Sequence, residues 1–214
     1  MKRLIAAALA LGATAAVALV VVLGTRPPAL TGGRDPGGAQ RANSYCAAIP
    51  APDFERAPNI AHRGRYVNAT YGYAVTIPPG LTAYTSANAA PRGFGIVLSA
   101  KPTARLRVDA GYDALYDITA AGVHLRDRMN VRLFDTLLQD RSESVSLAGV
   151  AGGRYQMTVR CAGSARIYRY DEVIVVRDRE IYRLDLQSVP DRFAADDRVL
   201  EAMLRSFSWV PPRP

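Results

Sequence analysis

Four segments in the second half of this 214-residue chain have the composition of β-strands, and short turns separate them. Aromatic and β-branched residues dominate these segments, and the turns are the polar or glycine-rich residues 151–153 and 177–179. A short turn between two strands pairs them antiparallel. The pattern therefore predicts two hairpins of an antiparallel sheet, over residues 143–150, 154–161, 166–176 and 180–189.

The remaining elements predict an α+β domain. Residues 65–77 indicate a further hairpin, and residues 94–100 and 105–112 indicate two more strands. Because helices must cover at least one face of the sheet, two helical segments complete the domain. The first begins at Asp113, and its expected buried face has helical spacing: Leu115, Ile118, Gly122, Leu125 and Met129. The second follows Pro190 and is expected to bury Val199, Leu200, Met203, Leu204 and Phe207.

The N-terminus predicts export. Lys2 and Arg3 precede residues 4–24, which carry no charge and would span roughly 30 Å as a helix, the thickness of a bilayer core. This length favours an uncleaved hydrophobic signal anchor over a cleaved signal peptide, which remains the alternative. The charge bias places the N-terminus inside and the domain outside. We therefore expect a periplasmic domain at 45–214, held at the inner membrane by residues 1–24 and a Pro/Gly-rich flexible tether at 25–44.

The two cysteines fit this compartment. An oxidising space favours disulfides, so we expect Cys46 to pair with Cys161; the alternative is two buried thiols. A metal site would need more ligands nearby, and neither His62 nor His124 has ligand spacing to a cysteine or to the other histidine. Because His124 lies off the apolar stripe of its helix, it is expected to be a solvated residue.

Polar residues alternate with apolar ones along three of the strands, so that each polar set lies on one side of its strand. If the three sets share a side, the sheet presents a candidate binding face for an anionic or polar partner. The alternative is a solvated face whose arginines and aspartates pair with each other. The candidate residues are Arg105, Arg107, Asp109, Arg154, Gln156, Thr158, Arg160, Arg183, Asp185 and Gln187.

The sequence contains none of the motifs that identify common catalytic or cofactor sites. A GxSxG elbow, a GxGxxG turn, a phosphate-binding loop and an HExxH pair are all absent. We therefore expect no catalytic residue, no cofactor and no metal. The formal net charge of +8 forms no dense Lys/Arg stripe, which argues against nucleic-acid binding.

Two stretches carry a family resemblance. YVNATYGYAVTIPPGL, from Tyr66, resembles the opening hairpin of the PsbP/Mog1/DcrB-like proteins, and YRLDLQSVPDRFAADDRVLEAMLRSFSW, ending at Trp209, resembles their last strand and C-terminal helix. The resemblance implies an α/β/α sandwich around a mostly antiparallel sheet, usually without enzymatic activity. Members serve as accessory, assembly or binding proteins, and the matching positions are scaffold rather than functional residues.

Three functions fit these observations. The leading hypothesis is a non-catalytic, membrane-tethered binding or accessory domain for a periplasmic protein or envelope component. Its contact surface would be the candidate face or a tyrosine-rich edge formed by Tyr66, Tyr71, Tyr73 and Tyr84. The alternatives are an immunity protein that neutralises a periplasmic toxin, and an envelope hydrolase, which would require a deep pocket with converging carboxylates.

Overall fold

The computed structural model describes Cys46 and residues 59–86, 92–100, 103–112 and 119–211. The predicted anchor and tether lie outside these residues, as do Asp113, Leu115 and Ile118. The described chain forms eleven strands and two helices. In order they are β1 (Asn59–His62), β2 (Arg65–Asn68), β3 (Tyr73–Thr76), β4 (Ala83–Ser86), β5 (Gly93–Ala100), β6 (Thr103–Tyr112), α1 (Ala120–Phe134), β7 (Thr136–Leu147), β8 (Val150–Arg160), β9 (Ile167–Arg177), β10 (Glu180–Ser188), α2 (Pro190–Ser206) and β11 (Ser208–Trp209).

Eight strands form one antiparallel sheet in the order β1-β4-β5-β6-β10-β9-β8-β7. Strands β7 to β10 pair with their sequence neighbours, and β10 also pairs with β6 in the middle of the sheet. The predicted α+β class and antiparallel pairing are therefore confirmed. The predicted hairpin over 65–77 is also present, as β2 and β3, but it joins β11 in a separate three-stranded sheet.

One predicted turn was misplaced. The chain reverses between β7 and β8 at Ala148 and Gly149, whose φ angles are 47° and 85°, and β8 runs straight through Gly152 and Gly153. Two residues with positive φ give the turn that matches the twist of a hairpin. Asp178 and Arg179, with φ of 52° and 70°, make the equivalent turn between β9 and β10, where the sequence places it.

The two helices lie on opposite faces of the main sheet. Consecutive residues of β8 show this directly, because Tyr155 packs on His124 of α1 while Arg154 bonds to Glu201 of α2. Neighbouring residues of a strand point to opposite sides. We call the two sides the α1 face and the α2 face. The three-stranded sheet shares its apolar core with α2, so it covers the α2 face beside that helix.

The second helix follows the sequence closely. Leu200 and Met203 are fully buried against Leu184 and Leu186 of β10, and Phe207 is buried just past the helix end. Pro190 occupies the first turn, where its missing N–H costs nothing. The predicted core face of this helix is thus confirmed at these positions, while Val199 and Leu204 are only partly buried.

The first helix turns the opposite way from the prediction. Leu125, Met129 and Leu133 are 54%, 59% and 70% exposed, whereas His124 is buried together with Asp127, Val123 and Val131. The reason is the α1 face beneath it, which carries charged side chains that pair with the polar side of the helix. The expectation that His124 is solvated is therefore wrong.

Cys46 and Cys161 form a disulfide across a sequence separation of 115 residues, as expected. Cys161 follows β8 directly, and the backbone N–H of Cys46 donates to Asp135, the residue that ends α1, at 3.3 Å. The disulfide therefore holds the start of the described chain beside the C-terminal end of α1. Within the described residues, neither helix is both long and apolar enough to span a bilayer.

Candidate functional site: a basic groove on the sheet

The ten polar residues of the predicted binding face do not share one side of the sheet. Arg183 lies opposite Ile174 of β9, whereas Arg154 lies opposite Val173, the next residue along the same strand. Since directly opposed residues point the same way, the polar sets divide. The α1 face carries the residues of β6 and β10, namely Arg105, Arg107, Asp109, Arg183, Asp185 and Gln187. The α2 face carries those of β8, namely Arg154, Gln156, Thr158 and Arg160.

On the α1 face, the helix covers an ion cluster of two arginines and three carboxylates. The Arg107 Nε donates to Asp185 Oδ2 at 2.7 Å, and Arg183 contacts Asp127 Oδ2 at 2.8 Å and Glu172 Oε1 at 3.1 Å. Each of these side chains is at most 15% exposed. This α1-side ion cluster therefore joins α1 to the sheet and leaves little of its charge for a partner.

Burial shifts the acid–base properties of this cluster. It raises the pKa of the Glu172 carboxyl well above the usual range and also raises the pKa of Asp127, with the Arg183 guanidinium acting in the opposite direction. Burial lowers the pKa of His124, whose Nε2 lies 3.0 Å from Asp140 Oδ1. Perturbed pKa values occur at catalytic sites and in structural ion-pair networks alike. Here each carboxylate contacts a guanidinium group, as in a structural ion-pair network.

On the α2 face, Arg154 is the centre of a second ion cluster. Its guanidinium makes a two-pronged contact with Asp171, both bonds 2.8 Å long, and reaches Glu201 at 2.5 Å and Asp197 at 3.2 Å. These hydrogen bonds, chiefly those to Asp171, raise the pKa of Arg154, and burial raises the pKa of Asp197 to about 6. This α2-side ion cluster fixes α2 to the sheet.

Beyond the N-terminal end of α2, the α2 face is open and forms a groove of about 460 Å³. Strands β7, β8 and β9 form its floor, and it reaches Pro190 at the start of the helix. The volume lies within the range of natural ligand pockets, although the groove is open rather than enclosed. We call it the basic groove; the lining residues used below are Gln139, Arg141, Gln156, Thr158, Ile167 and Arg169.

The arginines of this region differ from those of the two ion clusters. Arg141 and Arg169 line the groove, and Arg160 lies on the same face two residues beyond Thr158. No ion pair joins any of the three to another described residue. Arg169 instead lies over the Phe193 ring, 3.9 Å from its centroid, which orients the guanidinium without neutralising it.

The polar floor of the groove is only partly occupied by internal hydrogen bonds. Gln156 Nε2 donates to Asp171 at 2.5 Å, and Thr158 Oγ1 bonds Gln139 Oε1 at 3.3 Å. Guanidinium groups on paired strands lose little freedom when they bind, and they match the geometry of carboxylates and phosphates. The arrangement is suited to an anionic ligand.

The structure also corrects the predicted tyrosine-rich edge. Tyr66 and Tyr73 are buried in the core, with Tyr73 stacked on Phe207, so the predicted tyrosine-rich edge is not an exposed surface. Tyr71 and Tyr84 are partly buried. In the described ranges, no cluster of three or more His, Cys, Asp or Glu side chains could hold a metal ion.

Sequence reasoning missed Arg141 and Arg169, which carry the charge of the groove. Arg169 alternates with Tyr168 and Tyr170, so its period-two pattern placed it on the polar side of β9. Arg141 was missed because β7 starts at Thr136, seven residues before the predicted strand. Gln156, Thr158 and Arg160 are the predicted residues that do lie at or beside the groove.

Solved structures with a similar fold include three proteins from unrelated organisms. Cyanobacterial PsbP from Synechocystis is 17% identical with a TM-score of 0.47, and the match covers 70% of this chain and 92% of that one. LpqN, involved in cell envelope biogenesis of Mycobacterium tuberculosis, is 12% identical with a TM-score of 0.46, covering 74% and 95%. The Ran-binding protein Mog1p of Saccharomyces cerevisiae is 14% identical with a TM-score of 0.45, covering 72% and 96%.

No protein-family model matches the sequence, and no curated protein sequence matches it significantly. The structural matches agree with the PsbP/Mog1-like resemblance expected from the sequence, and they concern the fold alone.

Proposed function

We propose that this chain is a membrane-tethered periplasmic binding protein whose basic groove captures an acidic segment of an envelope or periplasmic protein. The observation that carries the proposal is the contrast among the sheet arginines. Arg107, Arg154 and Arg183 each face carboxylates of the domain itself. Arg141, Arg160 and Arg169 face the open α2 side with no carboxylate partner among the described residues.

The unpaired charges of the groove arginines favour an acidic partner. An unpaired arginine on a strand contributes no ion-pair energy to the fold, so its charge is available to a partner. Carboxylate groups that reach Arg141 and Arg169 together would form charge-assisted hydrogen bonds, which are about twice as strong as neutral ones. Because the groove is open, the charges are also partly screened by salt. We therefore expect a partner affinity that falls with ionic strength.

The hydrolase alternative has less support. Carboxylates do converge in the α1-side ion cluster, but each of the three contacts a guanidinium and Glu172 is only 2% exposed. The neighbouring cavity of about 340 Å³ is lined by Asp109 and Asp127 together with arginines. General acid–base chemistry needs a carboxyl that reaches the substrate and is not held by a cation. Of the two carboxyls that line the cavity, Asp127 is paired with Arg183 and Asp109 lies 3.8 Å from Arg92, while Glu172 is not part of the lining.

Photocrosslinking in living cells tests the proposal. A photoreactive residue in place of Gln139, in the full chain, should capture one envelope or periplasmic protein through an acidic segment that mass spectrometry can identify. Capture should be lost in an Arg141→Ala/Arg169→Ala variant and retained in Arg198→Ala, which removes an exposed arginine of α2 away from the groove. Capture that is unaffected by the double substitution would contradict the groove as the binding site.

A further inference from the structure

The outward side of α1 combines exposed apolar side chains with positive charge. Leu125, Met129 and Leu133 follow one another at four-residue spacing, so they form one stripe along the helix. We call it the α1 apolar stripe, and its members are between 54% and 70% exposed. Arg126 and Arg132 are also exposed on this helix, whereas its acidic residue, Asp127, is buried against Arg183.

This combination distinguishes α1 from an ordinary surface helix, which turns its apolar residues toward the core. Here the core side of the helix buries His124 and Asp127 beside two valines, and the three largest apolar side chains of the helix's exposed side face solvent next to arginines. A helix with that composition fits the interface of an anionic bilayer, where the apolar residues enter the acyl boundary and arginines meet the headgroups.

The number of residues between Cys46 and the predicted anchor limits how far the two can separate. The disulfide and the hydrogen bond to Asp135 hold Cys46 at the C-terminal end of α1. Asp135 follows Leu133, the last residue of the stripe, by two positions. Residues 25–45 connect Cys46 to the uncharged segment 4–24. A flexible chain of roughly 20 residues has a root-mean-square span of about 25 Å. The tether would therefore keep the end of α1 within a short distance of the bilayer.

A short tether also reduces the affinity that the helix needs. Once the anchor is in the membrane, contact between α1 and the lipid surface is an intramolecular event with an effective concentration in the millimolar range. Three apolar side chains and two arginines are a weak membrane signal in solution, but the tether makes such a weak contact persist.

We propose that the α1 apolar stripe lies on the anionic surface of the membrane that anchors the chain. This rests on the membrane tether of the proposed function. The helix and the basic groove lie on opposite faces of the sheet. Contact through α1 therefore turns the groove away from the bilayer, toward soluble partners.

The test uses the full chain in nanodiscs that contain phosphatidylglycerol and a lipid-borne fluorescence quencher. A fluorophore is attached to a Met129→Cys variant, or to Thr158→Cys in the groove, with the native disulfide intact. We expect quenching at position 129 and little at position 158. Nanodiscs of phosphatidylcholine alone should quench position 129 less, because the arginines then lack anionic headgroups.

A second pair of variants checks that the apolar stripe causes the contact. Leu125→Gln/Leu133→Gln should abolish quenching at position 129, while Val67→Gln, which alters an equally exposed apolar residue on β2, should leave it unchanged. Absence of quenching in a chain that remains in the nanodisc would overturn the proposal. So would stronger quenching at position 158, or self-association through position 129. A chain that fails to enter the nanodisc would instead overturn the tether, and this proposal with it.

Discussion

The imidazole ring of His124 stacks on the phenol ring of Tyr155, with the ring centroids 4.1 Å apart and the planes 11° apart. This stack joins the N-terminal half of α1 to β8, and the His124 Nε2 atom also lies within hydrogen-bond distance of Asp140 on β7. Few apolar side chains are buried by this helix, namely Val123 and Val131. The attachment of α1 to the sheet therefore depends on the histidine and the ion pairs around it as well as on these two valines.

We expect the histidine to make the domain less stable in mild acid. Because burial lowers the pKa of His124, the unfolded chain takes up the proton first as the pH falls below about 6.5. The free energy of unfolding therefore decreases from that pH down to the lowered pKa of the folded state. Glu172, Asp127 and Asp197, whose pKa values are raised by burial, contribute with the opposite sign, from about pH 4 up to their raised folded-state pKa values.

Comparison of the wild type with His124→Gln isolates this contribution. In urea unfolding at pH 8 the variant should be less stable than the wild type by about 1 kcal/mol through loss of the aromatic stack, and this difference should shrink as the pH falls below about 6.5. His62→Gln is the comparison variant: burial lowers the pKa of His62 as well, so this variant should lose a separate contribution of the same sign and leave that of His124 in place. If His124→Gln kept the full pH dependence of the wild type, His124 would not be the group responsible.

Arg154 and Arg160 look alike in the sequence, but they should behave differently when replaced. Arg154→Ala leaves the fully buried Asp171 carboxylate with the Gln156 amide but without its charged partner, and breaking such a pair costs about 3–5 kcal/mol. Arg160 has no carboxylate partner among the described residues and is exposed, so Arg160→Ala should change stability by about 0.5 kcal/mol or less. Thermal unfolding of the two variants measures the contrast, and equal losses would contradict the assigned roles.

The register between strands explains why these two arginines could not be told apart from the sequence. Alternation within a strand fixes which residues share a side of that strand. Asp171 and Glu172, consecutive residues of β9, accordingly contact Arg154 and Arg183 on opposite faces. It does not fix the phase between strands. A shift of one residue in pairing moves an entire polar set to the other face.

The orientation of α1 was unpredictable for a related reason. Its apolar spacing indicated a buried stripe, and such spacing is correct for α2, where Leu200 and Met203 meet the apolar side chains of β10. The surface beneath α1 is instead charged, because β6, β9 and β10 present Arg107, Glu172 and Arg183 to that side. The surface that a helix covers depends on how the strands pair in the folded sheet. Helical periodicity in the sequence does not predict that surface.

Asp197 offers a way to stabilise the domain. Burial raises the pKa of this carboxyl to about 6, so the folded state holds its proton above the pH at which the unfolded chain releases it. The free energy of unfolding therefore falls as the pH rises from about 4 to about 6, and it stays lower above that. Asp197→Asn removes this loss and keeps an oxygen for the Arg154 contact.

At pH 7 we expect Asp197→Asn to stabilise the domain by about 1 kcal/mol, or about 2–4 °C in Tm. The gain should disappear near pH 4, where the wild-type carboxyl is protonated in the folded state. Asp191→Asn is the matched control, because Asp191 is an exposed acid in the first turn of the same helix, where its charge is favourable. Asp191→Asn should lower Tm slightly, and a gain in both variants would point to a general charge effect instead.

The disulfide should contribute more to stability than any single ion pair. It links residues 115 positions apart. Closing a loop of that length reduces the entropy of the unfolded chain, which raises the free energy of unfolding by about 4–5 kcal/mol in the chain-entropy model. Cys46→Ser/Cys161→Ser should therefore lower Tm substantially, and dithiothreitol should destabilise the wild type but leave the double variant unchanged.

Protein recovered from cells and alkylated without reduction should gain no thiol adduct, since both cysteines are paired. Two adducts per chain would show that the folded protein resides in a reducing compartment, which would contradict the export that we propose.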